Sequence, residues 1–114
     1  ILEAVNSTTT KRIVVSIQNH DTLDFLRPDD VIEISCDLSR DGLKPVTPVK
    51  VPTAQKNMIS CVKEYERLAV AAILQQDKSL AVRALMAHPL IGSYSLAKTL
   101  VEAYLDDEQF AAWQ

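Results

Sequence analysis

The side chains best suited to chemistry are few and scattered. The 114 residues contain two histidines, His20 and His88, and two cysteines, Cys36 and Cys61. His20 lies in a polar run beside Asn19, Asp21 and Asp24. A carboxylate–imidazole cluster of that kind could hold a metal ion or move protons. No second His or Cys stands at ligand spacing, so a solvated loop outweighs a metal site. His88 precedes Pro89 at an expected helix end, where an imidazole near the last carbonyls acts as a cap. Neither cysteine has a nearby His to form a nucleophile pair, and no CxxC occurs. One bridge could join them, but two reduced, buried thiols of a cytosolic protein are preferred. Asp29-Asp30 and Asp106-Asp107 are paired acids. Adjacent residues do not face each other on a helix, so they read as a turn and a cap, not an acid–base dyad. Lys56, Lys63 and Arg67 mark a solvated helix face interrupted by Glu64 and Glu66. The two glycines, Gly42 and Gly92, are too few for a phosphate loop or a GxGxxG fingerprint. These residues specify no reaction, and no catalytic, cofactor-binding or metal-ligating residue is assigned from them.

The elements that must position them divide into a sheet half and a helical half. Ile13, Val15 and Ile17 alternate with Arg12, Val14 and Ser16, which predicts a strand over 12–18. Residues 19–30 form a polar loop pinned by Leu23, Phe25 and Leu26. In 31–38, Ile32, Ile34, Cys36 and Leu38 share one face while Glu33, Ser35 and Asp37 share the other. That is a half-buried strand. Ser39 to Gly42 is a turn, with Gly42 free to take positive φ. Residues 43–51 are extended, but their prolines remove ladder donors and leave an edge strand at best. From Thr53 a stripe of Met58, Val62, Tyr65, Ala69 and Ala72, widened by Ile59, Leu68 and Ile73, predicts an amphipathic helix over 54–76. Asp77 caps a second helix over 78–87. Ser93 or Ser95 caps a third over 94–105, with Leu96, Leu100, Val101, Tyr104 and Leu105 inward. Asp106 and Gln109 have capping-box spacing for a last turn over 107–113. The expected fold is α+β: a short antiparallel sheet packed against three or four C-terminal helices. Phe110 and Trp113 near the end need something to cover them.

The length suits one unit, residues 1–114, and no internal repeat or low-complexity linker interrupts it. A net charge of −3 and a pI near 5.3 disfavour nucleic-acid binding. No apolar run approaches the roughly 20 residues that span a bilayer. The opening Ile1-Leu2-Glu3-Ala4-Val5-Asn6 has no basic leader and reads as the end of a helix, so an excised fragment is expected.

Several stretches in order resemble the C-terminal end of glycoside hydrolase family 4, in its 6-phospho-β-glucosidase branch. The strand ending in Asn19, the loop, and Pro28-Asp29-Asp30-Val31-Ile32-Glu33-Ile34 are similar to the family's strand, Asn/Gly loop and "LP-D-D-hydrophobic-VEV" segment. Asp41-Gly42-Leu43-Lys44-Pro45 is like its "G-hydrophobic-x-P" turn. Tyr65-Glu66-Arg67-Leu68-Ala69-Val70-Ala71-Ala72 resembles its "YE-x-L-x-V-x-A-A" helix. Ala84 to Ile91, Ser93-Tyr94 and Ala97-Lys98 to Leu100 are similar to its "AL-x-x-HPL-hydrophobic-x-SY-x-x-AK-x-L" ending. The chain departs from the pattern at Asn19-His20-Asp21, where Asp21 stands in place of a glycine, and at Phe25 and Arg27, which replace Asn and Pro.

The resemblance implies a glycosidase outside the two-carboxylate rule. In such enzymes NAD takes a hydride from C3 of the 6-phosphoglycoside, a tyrosine removes the C2 proton, and a divalent metal, often manganese, steadies the enolate. The aglycone leaves, water adds and the hydride returns. NAD sits on an N-terminal Rossmann domain that this chain lacks, and the metal ligands and base precede this segment. The implied whole is a cytoplasmic 6-phospho-β-glucosidase acting on a phosphorylated disaccharide, a homo-oligomer without nucleic-acid or membrane partners. Alone, the segment is expected to be inactive and to bind no cofactor or metal. Asn19 matches a substrate-side position, while Tyr65, Leu68, Ala69 and His88 read as scaffold. Two other readings stand: the same family acting on 6-phospho-α-glucosides or unphosphorylated α-glycosides, and a non-enzymatic dimerising module.

Overall fold

The structure is a computed structural model that describes residues 9–47, 50–106 and 110–114. The expected helix end before residue 7 lies outside the described residues. The chain divides into two compact units, 1–51 and 52–114.

The first unit is a three-stranded antiparallel sheet in the order β1-β2-β3, formed by β1 (Lys11–Gln18), β2 (Val31–Ser39) and β3 (Gly42–Pro45). Alternation sets its register. Ile13, Val15 and Ile17 stand opposite Cys36, Ile34 and Ile32, so one face collects the apolar side chains of both strands. Ile32, Cys36 and Leu38 are buried. On the other face Arg12 stands opposite Asp37. Its Nε and Nη2 donate to Asp37 Oδ1 and Oδ2 at 2.8 and 3.1 Å. That hydrogen-bonded fork holds the Asp37 carboxyl below its ordinary range, although water around the pair keeps its stabilisation small. Arg40 and Asp41 form the tip between β2 and β3, and Gly42 takes φ +111°. The edge strand is shorter than the expected 43–51. It stops at Pro45, which has no N–H to donate, and one further bond follows, from Val46 N–H to Ser35 O at 2.9 Å.

The second unit holds α1 (Thr53–Gln75), α2 (Lys78–Ala87) and α3 (Tyr94–Tyr104). α1 ends in a left-handed residue, Gln76 at φ +53°, and the Asp77 N–H reaches back to Ala72 O at 3.1 Å. Asp77 at once caps α2, its Oδ1 accepting from Leu80 N–H at 3.0 Å. Pro89 prevents α2 from continuing, and Ser93 caps α3 by accepting from Leu96 N–H. α1 packs on α2 and α2 on α3. The side chains buried there are small: Ala72, Ala84 and Ala97, with Val101. Small residues let helix backbones approach closely. Four inward assignments are corrected: Met58 (61% exposed), Ile73 (62%), Tyr104 (76%) and Leu96 (45%) are exposed. The buried seam is narrower than the apolar stripe, because contacts between short side chains need little width. The last helical turn, expected over 107–113, lies partly outside the described residues; what is described is a single 3-10 turn at Phe110.

Ala97 is fully buried. Ala97→Leu is therefore expected to lower stability by about 1–3 kcal/mol through overpacking. The exposed control Leu96→Ala should stay within about 0.5 kcal/mol. Urea denaturation of the two variants checks the difference.

Candidate functional site

The segment joining β1 to β2 is organised by one side chain. Its first step prolongs the ladder: Asn19 N–H donates to Asp30 O at 2.7 Å and His20 N–H to Pro28 O at 2.8 Å. Between these points the loop turns inward and aims its carbonyls at a common centre, which the amide of Asn19 fills. Nδ2 lies 3.2 Å from His20 O, 3.1 Å from Leu23 O, 3.5 Å from Leu26 O and 3.1 Å from Arg27 O. Oδ1 accepts from Leu23 N–H at 2.9 Å. An amide nitrogen has two hydrogens, so these contacts are shared. Asn19 is completely buried. A second staple closes the far side: Asp30, 8% exposed, accepts from Arg27 N–H through Oδ2 at 3.0 Å. Leu23, Phe25 and Leu26 are half-buried, as expected, while His20, Asp21, Asp24, Arg27 and Asp29 are exposed.

The backbone is left-handed at His20, φ +46°, and not at Asp21. Asp21 therefore occupies a conformation that needs no glycine, and its replacement of one causes no strain. Histidine bears the left-handed cost instead. The carboxylates near His20 do not gather around it as ligands; among the described residues no three His, Cys, Asp or Glu side chains come together as a metal-ion site.

The other candidates are dispersed. Cys36 is a buried free thiol on β2, whereas Cys61 is a free thiol exposed on α1, which corrects the expectation that both are buried. His88 caps α2 through its backbone N–H, which donates to Leu85 O at 3.1 Å. Its ring does not reach the last carbonyls; Nδ1 accepts from Leu90 N–H at 3.3 Å, and the ring meets Tyr65 edge-on at 4.8 Å. Lys63 pairs with Glu66 at 2.7 Å and Arg67 with Glu64 at 3.0 Å, but Lys56, Lys63 and Arg67 are half-buried, which corrects the expected solvated face. Asp30 is the residue that sequence reasoning missed. It reads as half of a turn dipeptide, and a side chain reaching back three residues leaves no signature in composition.

Residues 1–91 match the C-terminal domain of the family 4 glycosyl hydrolases. The chain belongs to that family. It is 33% identical over 93 residues to a 6-phospho-β-glucosidase of Thermotoga maritima, an alignment covering 82% of this chain and 22% of the relative. It is 22% identical over 103 residues to a phospho-α-glucosidase of Clostridium acetobutylicum, covering 90% and 23%. The chain thus spans between a fifth and a quarter of the length of these relatives. The solved 6-phospho-β-glucosidase of Thermotoga maritima with manganese, NAD+ and glucose-6-phosphate superposes with a TM-score of 0.77 at 30% identity, covering 95% of this chain and 27% of that one.

For this family 4 domain, Asn19→Ala removes a buried partner from several loop groups and is expected to cost about 3 kcal/mol. Asn19→Asp sets a carboxylate against four carbonyl oxygens. Its folded pKa must rise, so the loss is largest at pH 7 and recovers as pH falls toward about 4. Denaturation of both variants against pH checks the sign. His20→Val should be about 1–2 kcal/mol less stable than His20→Gly, because a β-branched residue does not tolerate the left-handed backbone. Thermal unfolding of that pair measures it.

Proposed function

We propose that the whole protein is a 6-phospho-β-glucosidase, hydrolysing 6-phospho-β-glucosides with NAD and divalent manganese, and that this chain is the rear of its substrate domain. The observation that carries the β assignment is the 33% identity to the Thermotoga enzyme, against 22% to the phospho-α-glucosidase. The manganese, NAD+ and glucose-6-phosphate held by the solved Thermotoga enzyme support the cofactors and the phosphorylated sugar. NAD would supply a transient oxidation that makes the neighbouring C–H acidic and lets the aglycone depart. The described residues do not fit either group. They bring no three metal-binding side chains together, and the sequence contains no GxGxxG. On this reading NAD and manganese would be held by parts of the whole protein other than the described residues.

On this reading the loop 19–30 borders the sugar pocket, and Asn19 is a positioning residue. Its amide is consumed inside the loop, so it acts on the substrate side by presenting His20, Asp21 and Arg27. A cytoplasmic setting fits two free thiols and a phosphorylated, membrane-impermeant substrate. No helix among the described residues is long and apolar enough to cross a membrane. Homo-oligomer formation accords with the large apolar side chains exposed on the helical unit, among them Leu74 at 79% and Leu90 at 84%.

The test is an assay of the full-length protein on p-nitrophenyl β-glucoside 6-phosphate with NAD and manganese. Cleavage that disappears when NAD is withheld is the expected result. Cleavage of 6-phospho-α-glucosides or unphosphorylated α-glycosides instead, with none of the β-phosphoglucoside, would overturn the substrate assignment.

A further inference from the structure

The seam between α2 and α3 opens on one side into a groove of about 220 Å³. From α2 it takes Lys78, Val82 and Arg83, and from α3 Tyr94, Lys98, Val101 and Glu102. Helical spacing explains the grouping: positions 78, 82 and 83 share one face, as do 94, 98, 101 and 102. Val101 is buried and Val82 half-buried, so the groove has an apolar part, to which the exposed Tyr94 adds an aromatic ring. Its charged side chains are exposed. Three cations thus meet in a chain whose net charge is −3. The one carboxylate among them, Glu102, reaches Lys98 only at 3.7 Å. The neighbouring Asp77 is engaged as the cap of α2. Among the described residues the side chains of Lys78 and Arg83 form no ion pair, whereas Lys63 and Arg67 on α1 each have a glutamate. Two positive charges are left over, and an anion set between them relieves their mutual repulsion.

We propose that this groove binds a small phosphate monoester, its dianion held by Lys78, Arg83 and Lys98 and its organic part against Tyr94 and Val82. Charge and size both select that class. A phosphate monoester carries about −1.5 to −2 charges at pH 7, which matches the two left over, while a carboxylate supplies one. The guanidinium of Arg83 presents a donor fork that fits phosphate oxygens, and the hydroxyl of Ser79, which also lines the groove, is a further donor. The volume lies below the roughly 300–1,000 Å³ of pockets for drug-sized ligands, so the ester is a small one. The inference does not rest on the substrate assigned above: none of these residues belongs to the loop 19–30, and the two regions lie in different compact units.

Phenyl phosphate titrated into the full-length protein tests this. The amide resonances of Ser79, Arg83, Tyr94 and Lys98 are the readout, so binding elsewhere is not mistaken for binding here. Saturable shifts at these amides are expected. Arg83→Gln should weaken binding about fivefold, and Glu102→Gln should tighten it by a similar factor, the scale of exposed ion pairs. Inorganic phosphate should bind more weakly than phenyl phosphate, and Tyr94→Ala should narrow that difference. The three substituted side chains are exposed, so the variants keep the fold. Shifts that do not saturate, or an unchanged affinity in Arg83→Gln, would overturn the site. Equal affinity of the unaltered protein for inorganic phosphate and phenyl phosphate would overturn its assignment to an organic ester.

Discussion

A loop that folds inward between two paired strands must find partners for its carbonyls where water does not reach. In the sheet unit that demand falls on one buried amide, Asn19. Four loop carbonyls surround its nitrogen, and its oxygen takes a fifth backbone group. The rest follows from that constraint. Because the carbonyls point inward, the side chains of His20, Asp21 and Arg27 point out. Because the loop must turn at once after β1, the backbone goes left-handed at His20. Because both ends are tied, by Asn19 N–H to Asp30 O and by the Asp30 carboxylate to Arg27 N–H, the loop has little freedom to rearrange. A surface held this way is preorganised.

The helical unit solves the matching problem at its corners with backbone and cap chemistry. Asp77 ends one helix and starts the next, accepting from Leu80 N–H while its own N–H reaches back to Ala72. Gln114 then pairs with the Gln76 carbonyl and the Lys78 N–H of that corner. Alanines at the helix seams keep the packing close, so the unit builds three helices around a narrow core. The large apolar side chains left outside that seam, such as Ile73 and Leu74, are consistent with a domain that meets further protein.

Strand period, cap residues and proline stops made most of this architecture legible in advance. Ile32, Cys36 and Leu38 could be placed on one buried face from alternation alone, and Asp77 could be placed as a cap from its position before apolar periodicity, whereas the cap of the third helix stayed open between Ser93 and Ser95 until the structure showed Ser93. Met58, Ile73 and Tyr104 could not be read correctly, since helical periodicity gives a direction but not the width of the contact. The loop shows the deeper limit. Asn19 could be marked from family resemblance, but the reason it matters, carbonyls converging from positions 20, 23, 26 and 27, arises only when the chain has closed on itself. The left-handed role of His20 was hidden for the same reason: Asp21 drew attention as the residue in place of a glycine, while the backbone turned one position earlier.

A crystal structure of the full-length protein with NAD, manganese and glucose-6-phosphate tests the central claim most directly. The expected result is a sugar in contact with the outer side of the loop 19–30, with Asn19 still buried and bonded to the loop carbonyls. A sugar bound far from that loop, or an Asn19 amide turned out to touch it, would contradict the account.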